Sequence, residues 1–267
     1  MIIAIDPHLA HTTTSRPDPS FGPTVTHAAE LIAALTLRGR ELCPSLEVTV
    51  AAGAGGAAFV MPEHLDALQT GQIDALIFGG VHSDYDPSVI AALEAQGRLY
   101  TPNNLDALIP GETAAFALSM RPDFARRASL EPWACLHGVG SGFEQARPDN
   151  EHSAYEAKGL TLAVRAATQE LVSENRRAGW ALTDLTFAMR RIYEWQSMLM
   201  RSPDIFDTPY MIDSPAQRIG HLGAAALPLH MALAAVAYRR NYAPDPLVVA
   251  FAGSDSGERG ALLMGAP

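Results

Sequence analysis

The chain has few of the residues that mark a disulfide scaffold, a nucleic-acid surface or a membrane span. Its 267 residues include 2 cysteines. These, Cys43 and Cys135, make neither a disulfide framework nor a metal-binding spacing, and their scarcity points to a reducing, cytoplasmic location. Basic residues are outnumbered, with 19 Lys+Arg against 29 Asp+Glu and a formal net charge of −10. That balance argues against a nucleic-acid or anionic-membrane surface, and the clusters Arg126-Arg127 and Arg190-Arg191 with Arg201 are too sparse to create one. Long apolar runs are missing too. Leu222 to Tyr238, at about 17 residues, lies at the lower limit for a span; it is Ala-rich, holds Pro228 and His230, and reads as a buried helix. The first residues, Met1-Ile2-Ile3-Ala4-Ile5-Asp6, lack the basic leader and long apolar core of a signal peptide.

What is present is 48% hydrophobic residues with Gly and Pro spread throughout, the composition of a compact α/β protein with a large core. Ile2 to Asp6 reads as a buried strand, residues 7–23 as a proline-rich loop, and Val25 to Leu42 as a helix burying Ala28, Leu31, Ile32, Leu35 and Leu37. Leu46 to Val50 alternates as a strand. Gly53-Ala54-Gly55-Gly56-Ala57-Ala58 then turns into a helix to about Leu68, and Asp74 to Phe78 is an apolar strand ending in Gly79-Gly80. Further on, the pattern predicts a helix over Pro87 to Gln96, a strand over Thr113 to Met120 and a polar connector over 121–131. A strand over Trp133 to Gly138, a helix over Gly159 to Arg177 and a strand over Trp180 to Thr186 follow. Met189 to Arg201 is a helix, and the chain closes on strands at Leu247 to Ala252 and Arg259 to Met264.

Three matches recur in the same order. Gly53 to Ala58 parallels Gly220-His221-Leu222-Gly223-Ala224-Ala225, Ile77 to Gly80 parallels Ala250 to Gly253, and Gly111 to Phe116 parallels Gly257 to Leu262. This implies a duplicated α/β unit, with an N-terminal half over 1–130 and a C-terminal half over 131–267, built on mainly parallel sheets covered on both faces.

Three segments carry a family resemblance: Leu68 to Val81, Pro110-Gly111-Glu112-Thr113-Ala114-Ala115-Phe116, and Ile219-Gly220-His221 followed by Gly223-Ala224-Ala225. They resemble the β-ketoacyl synthase branch of the thiolase-like superfamily, over roughly residues 46–267. The resemblance implies layered α-β-α-β-α halves, with the N-terminal half shortened, and a catalytic role for the His221 position in working condensing enzymes. It also marks departures. The nucleophilic cysteine falls at about Ala54, the first histidine at Asp184, and the lysine before the second histidine at Ala216. Without a thiolate there is no acyl-enzyme, so the family's Claisen condensation is not expected and His221 and Asp184 stand as vestigial candidates.

Other constellations have plainer readings. His82-Ser83-Asp84-Tyr85-Asp86 has metal-ligand spacing, but Asp84 or Asp86 can cap the following helix, and no metal or cofactor is expected. Gly138-Val139-Gly140-Ser141-Gly142 reads as turn glycines after a strand. Ser254 or Ser256 with Asp255 and His221 lacks a nucleophile elbow. Glu194 with Arg190 or Arg191 reads as a helix-surface pair. The segment from Asp184 through Arg191, Glu194 and Trp195 to Arg201 resembles a pattern in ketosynthase-like accessory proteins of type VI secretion gene clusters.

The expected function is therefore protein binding: an adaptor or chaperone for a type VI secretion effector. The alternatives are a chain-length-factor-like partner of a condensing enzyme, or an acyl-thioester enzyme using His221 and Asp184. A homodimer is compatible with the fold; nucleic acid and membrane are not expected partners.

Overall fold

A computed structural model of the chain describes residues 1–6, 28–147 and 155–267. In chain order the elements are β1 (Ile2–Ile5), α1 (Ala28–Leu42), β2 (Thr49–Ala52), α2 (Gly53–Thr70), β3 (Ala75–Ser83), α3 (Pro87–Ala95), β4 (Glu112–Met120) and α4 (Pro122–Arg127). There follow β5 (Cys135–Phe143), α5 (Gly159–Ala167), α6 (Gln169–Ser173), β6 (Ala178–Thr183), α7 (Met189–Arg201) and β7 (Phe206–Asp213). The last are α8 (Ala216–Ile219), α9 (Ala226–Arg239), β8 (Leu247–Gly253) and β9 (Glu258–Gly265). The loop read over 7–23, the helix start at Val25 and the side chains of Ala28 and Leu31 lie outside the described residues.

The strands form two sheets, ordered β2-β1-β3-β4 and β5-β9-β8-β6-β7. The duplication is visible in their wiring. Strand β1 lies between parallel β2 and β3, as β6 lies between parallel β7 and β8. Strand β3 then pairs antiparallel with β4, as β8 does with β9. The second sheet adds β5 antiparallel to β9, so the first repeat is one strand shorter. Both sheets are mixed, which corrects the mainly parallel reading: each repeat ends in an antiparallel pair of strands.

Period-two alternation builds the layers. On the first sheet Ile3 and Ile5 face Ile32 and Leu35 of α1, while Ile2 and Ala4 face inward onto a core shared with α2 and α9. On the second sheet Trp180, Leu182, Val248, Ala250, Leu262 and Met264 face the same interior. Ala181, Val249, Phe251, Ala261 and Leu263 face out onto Leu160 and Val164 of α5 and Trp195 and Met198 of α7. The result is helix, sheet, helix, sheet, helix. Alanines make the central layer thin: Ala57 and Ala58 of α2 and Ala234 of α9 are fully buried. A core of this size is the main stabilising term, each fully buried large apolar side chain contributing roughly 1.5–3 kcal/mol.

Several local expectations change. Gly79-Gly80 and Gly138 to Gly142 lie inside β3 and β5, not in turns. The helix expected over Gly159 to Arg177 is split at Thr168. Leu37 is 65% exposed and is not on the buried face of α1. The strand read at Leu46 to Val50 is shifted to Thr49–Ala52. Strand β7 was not expected, because its Phe-Asp-Thr-Pro-Tyr-Met-Ile-Asp sequence carries a proline and mostly exposed side chains, as an edge strand allows.

Candidate functional site at the strand ends

In each sheet the strand next to one edge, β1 beside β2 and β6 beside β7, is followed by an aspartate. Asp6 follows β1 and Asp184 follows β6, and each accepts a backbone N–H: from Ala224 of the C-terminal half at 2.9 Å for Asp6, and from Gly253 at the end of β8 at 2.8 Å for Asp184. In sheets of this wiring, the C-terminal ends of parallel strands are where ligands collect.

Around Asp6 four side chains interlock. His82, fully buried at the end of β3, has Nδ1 2.5 Å from Asp6 Oδ2 and Nε2 2.9 Å from Asp84 Oδ2. The same Asp84 oxygen lies 3.0 Å from His221 Nδ1 and accepts the Gly111 N–H at 3.2 Å. The two imidazoles meet edge to face, with centroids 4.5 Å apart. Burial disfavours charge on His82, but its hydrogen bonds to Asp6 and Asp84 outweigh that and push its pKa up to about 9. Burial also works against ionised Asp84, yet the hydrogen bonds from His221 and His82 hold it well below the usual carboxylate range. Asp6 is lowered too: burial opposes this, and the hydrogen bond from His82 outweighs it.

His221 itself sits just after α8. Gly220 takes φ +86°, and a Cβ there would strike the Pro110 carbonyl, so glycine is needed for the close approach to the Gly111 loop. The His221 N–H donates to the Ile109 carbonyl at 2.8 Å. His221 thus reaches Asp84 from the opposite side of the molecule's central seam, and its side chain is 29% exposed.

The positions to which the sequence resemblance assigns the other condensing residues, Ala54, Asp184 and Ala216, are apolar or diverted. Strand β2 runs directly into α2, and the turn residue with φ +67° is Gly53, one before Ala54. Neither residue carries a nucleophile, and Ala54 is 4% exposed. The space in front of Gly53 holds the Ser254 hydroxyl, which accepts the Gly55 N–H at 3.1 Å. Ala216 is buried at the start of α8. Asp184 is consumed by an ion network: Arg191 Nη2 donates to both of its oxygens at 3.0 and 3.1 Å, and Arg191 Nη1 reaches Glu194 at 2.5 Å. Burial penalises the charge on Arg191, but the fields of Asp184 and Glu194 outweigh it and raise its pKa further. Glu194 is fully buried and also takes Arg259 Nε at 2.7 Å. The expected helix-surface pair is therefore a buried triad with a partner from β9.

The serine constellation is not assembled. Ser254 serves α2, Ser256 bonds Glu258, and Asp255 pairs with Arg98 at 2.5 Å. In the His-x-Asp-x-Asp stretch, Asp86 caps α3 through the Ser88 N–H at 2.8 Å, whereas Asp84 turns inward. Sequence reasoning missed Asp6 and the role of His82. Their signal was weak but present: both are polar residues at the C-terminal ends of apolar strands.

Two repeats of this wiring, stacked in five layers with a helix-start turn at the centre, define the thiolase-like fold in its ketosynthase form. Solved structures bear this out. The chain is similar to a ketosynthase from module 6 of the bacillaene synthase of Bacillus subtilis, with TM-score 0.74 and 14% identity over 100% of this chain and 54% of that one. It is also similar to the ishigamide ketosynthase/chain length factor, with TM-score 0.73 and 17% identity over 100% of this chain and 75% of the other. A type II polyketide-synthase ketosynthase in complex with its acyl-carrier protein gives TM-score 0.70 and 14% identity, over 94% and 71%. The chain thus spans about half the length of the bacillaene ketosynthase, and the likeness is one of fold. The sequence matches no protein-family model and no curated protein.

Proposed function

We propose that this chain is a non-condensing ketosynthase-fold protein that works by binding other proteins. The observation that carries the reading is the β2–α2 turn, built from Ala52, Gly53 and Ala54 where a condensing enzyme needs a thiol. Cys43 is exposed beyond α1 and Cys135 lies in β5, so neither supplies one. The outer helical layer supports a binding role, since Leu162 of α5 and Tyr193 and Met200 of α7 are 57%, 54% and 76% exposed.

The partner we favour is a type VI secretion effector or its loading protein, met in the cytoplasm. This rests on the Asp184–Arg191–Glu194–Trp195–Arg201 pattern shared with accessory proteins of those gene clusters. A second reading, a chain-length-factor-like subunit beside a condensing enzyme, is favoured by the ketosynthase/chain length factor and carrier-protein complexes among its structural neighbours.

Co-expression with each candidate set, followed by affinity capture and light scattering, separates the two. A stable complex with secretion spike or adaptor proteins supports the first; one with a ketosynthase or carrier protein supports the second. A chain that binds none of them and stays monomeric overturns both. Turnover of acyl-thioesters that disappears in His221→Ala would replace them with an enzymatic function.

A further inference from the structure

We propose that His82 Nε2, Asp84 Oδ2 and His221 Nδ1 form a binding site for a divalent transition-metal cation, Zn²⁺ foremost, with Asp6 as the carboxylate that orients His82. The proposal goes beyond the binding reading above and does not depend on which protein is the partner. It also revises the expectation that the chain holds no metal.

The three donor atoms lie within 4.8 Å of one another. The two measured edges, 2.9 Å and 3.0 Å to the shared Asp84 oxygen, are a few tenths of an ångström short of the roughly 3.3 Å between ligands of a four-coordinate ion with bonds near 2.0 Å. Small outward rotations of the rings therefore make room for the ion. Three donors already converge on one carboxylate oxygen, the two imidazoles and the Gly111 N–H. A cation at that convergence would take the place of the protons that His82 Nε2 and His221 Nδ1 share with Asp84, releasing them to solvent and binding both nitrogens and the carboxylate together.

The surroundings have the form of a metal site. Asp6 at 2.5 Å on Nδ1 fixes the tautomer that leaves Nε2 to point at the ion, as the outer carboxylate of metal-bound histidines does. Asp6 is in turn held by the Ala224 N–H at 2.9 Å. His82 is fully buried, so its ring is positioned by packing. His221 is partly exposed and gives the ion its approach. Two imidazoles and one carboxylate suit a borderline cation and not Mg²⁺ or Ca²⁺. His82 lies at the end of β3, Asp84 follows it and His221 leads into α9, so the ion would fasten a strand end to the central helix start.

The test is titration of ZnCl₂ alone into the full chain carrying Cys43→Ser, which removes an exposed thiol, with zinc content measured after dialysis. The expected result is one equivalent per chain and a raised thermal midpoint. His221→Gln, at a partly exposed position, keeps its circular dichroism and loses at least about 30-fold in affinity. Asp6→Asn keeps the stoichiometry and weakens binding about 10–100-fold. Co²⁺ gives the intense visible bands of a four-coordinate ion in the parent and not in His221→Gln. Failure of the parent to take up zinc, or equal uptake by folded His221→Gln, overturns the site and leaves the protein-binding reading untouched.

Discussion

Glu194 of α7 and Arg259 of β9, 65 residues apart, form a 2.7 Å ion pair in which both side chains are buried. Glu194 also holds Arg191, which in turn holds Asp184, so one carboxylate ties helix α7 to the ends of β6 and β9. Arg259 Nη1 further donates to the carbonyls of Ser254 at 2.7 Å and Glu258 at 3.0 Å, closing the loop that faces Gly53 and Gly55. The Asp-Arg-Glu-Trp pattern is in this protein a folding device, with Trp195 stacked on Phe251 at 4.9 Å beside it.

Removing Glu194 leaves buried Arg259 without a carboxylate, and removing Arg259 leaves buried Glu194 with Arg191 alone. Glu194→Ala is expected to destabilise the fold by about 3–5 kcal/mol, and Arg259→Ala by a similar amount. The double variant Glu194→Leu with Arg259→Met should recover a large part of that loss, because it removes both charges and refills the space. Urea unfolding of the four proteins checks this; a single-site cost under about 1 kcal/mol would show that the pair is not holding α7.

Placing a thiol at the β2–α2 turn is not expected to create condensing chemistry. In Ala54→Cys the side chain sits at a buried helix start, but Asp184 is locked by Arg191 and Ala216 is apolar. No imidazole occupies the Asp184 position to stabilise a developing oxyanion. Ala54→Cys and Gly53→Cys are expected to show no condensation of acyl- and malonyl-thioesters by mass spectrometry. Product formation by either variant would mean that the site retains a working acid–base set.

The fold was legible where the sequence repeats itself, since Gly53 to Ala58 and Gly220 to Ala225 mark the two helices that form the central layer. The four-part site was only half legible. Ile219-Gly220-His221 stood out as a motif, but its partner Asp84 is 137 residues away and Asp6 bonds Ala224 across 218 residues, and only packing brings such distant positions together. The glycine runs misled for a physical reason. Glycine serves both tight turns and close approach, and spacing alone does not separate the two. At Gly79-Gly80 and Gly138 to Gly142 the need is close approach within strands.

Gly140 offers a direct check on that reassignment. A Cβ there would collide with the Ala163 carbonyl of α5 and the Ala167 amide, both backbone groups that cannot rotate away. Gly140→Ala is therefore expected to push α5 off the sheet and cost on the order of 1–3 kcal/mol, the usual range for overpacking. Gly97→Ala, where φ is +64° but a Cβ meets nothing within 4 Å, should cost only the backbone strain, about 1 kcal/mol. Thermal unfolding compares the two; if Gly140→Ala is the milder, the glycine does not serve helix packing.

His230 in α9 gives the protein a specific weakness to acid. It is fully buried, neither ring nitrogen makes a well-formed hydrogen bond among the described residues, and burial pushes its pKa down to about 4, against smaller upward pulls from Asp184 and the Thr183 backbone. The folded pKa lies below the unfolded value of 6.5, so the unfolded chain binds the proton first. Above about pH 6.5 the group has no effect on the pH dependence. Between 6.5 and about 4 each fall in pH favours unfolding, up to roughly 3 kcal/mol from this one residue. His230→Leu removes both the titration and the unpaired polar atoms, so it should raise stability at neutral pH by about 1–3 kcal/mol. It should also flatten the stability profile between pH 6.5 and 4. Chemical denaturation at several pH values tests both halves: a His230→Leu profile parallel to that of the parent would show that the imidazole is solvated or paired in the folded chain.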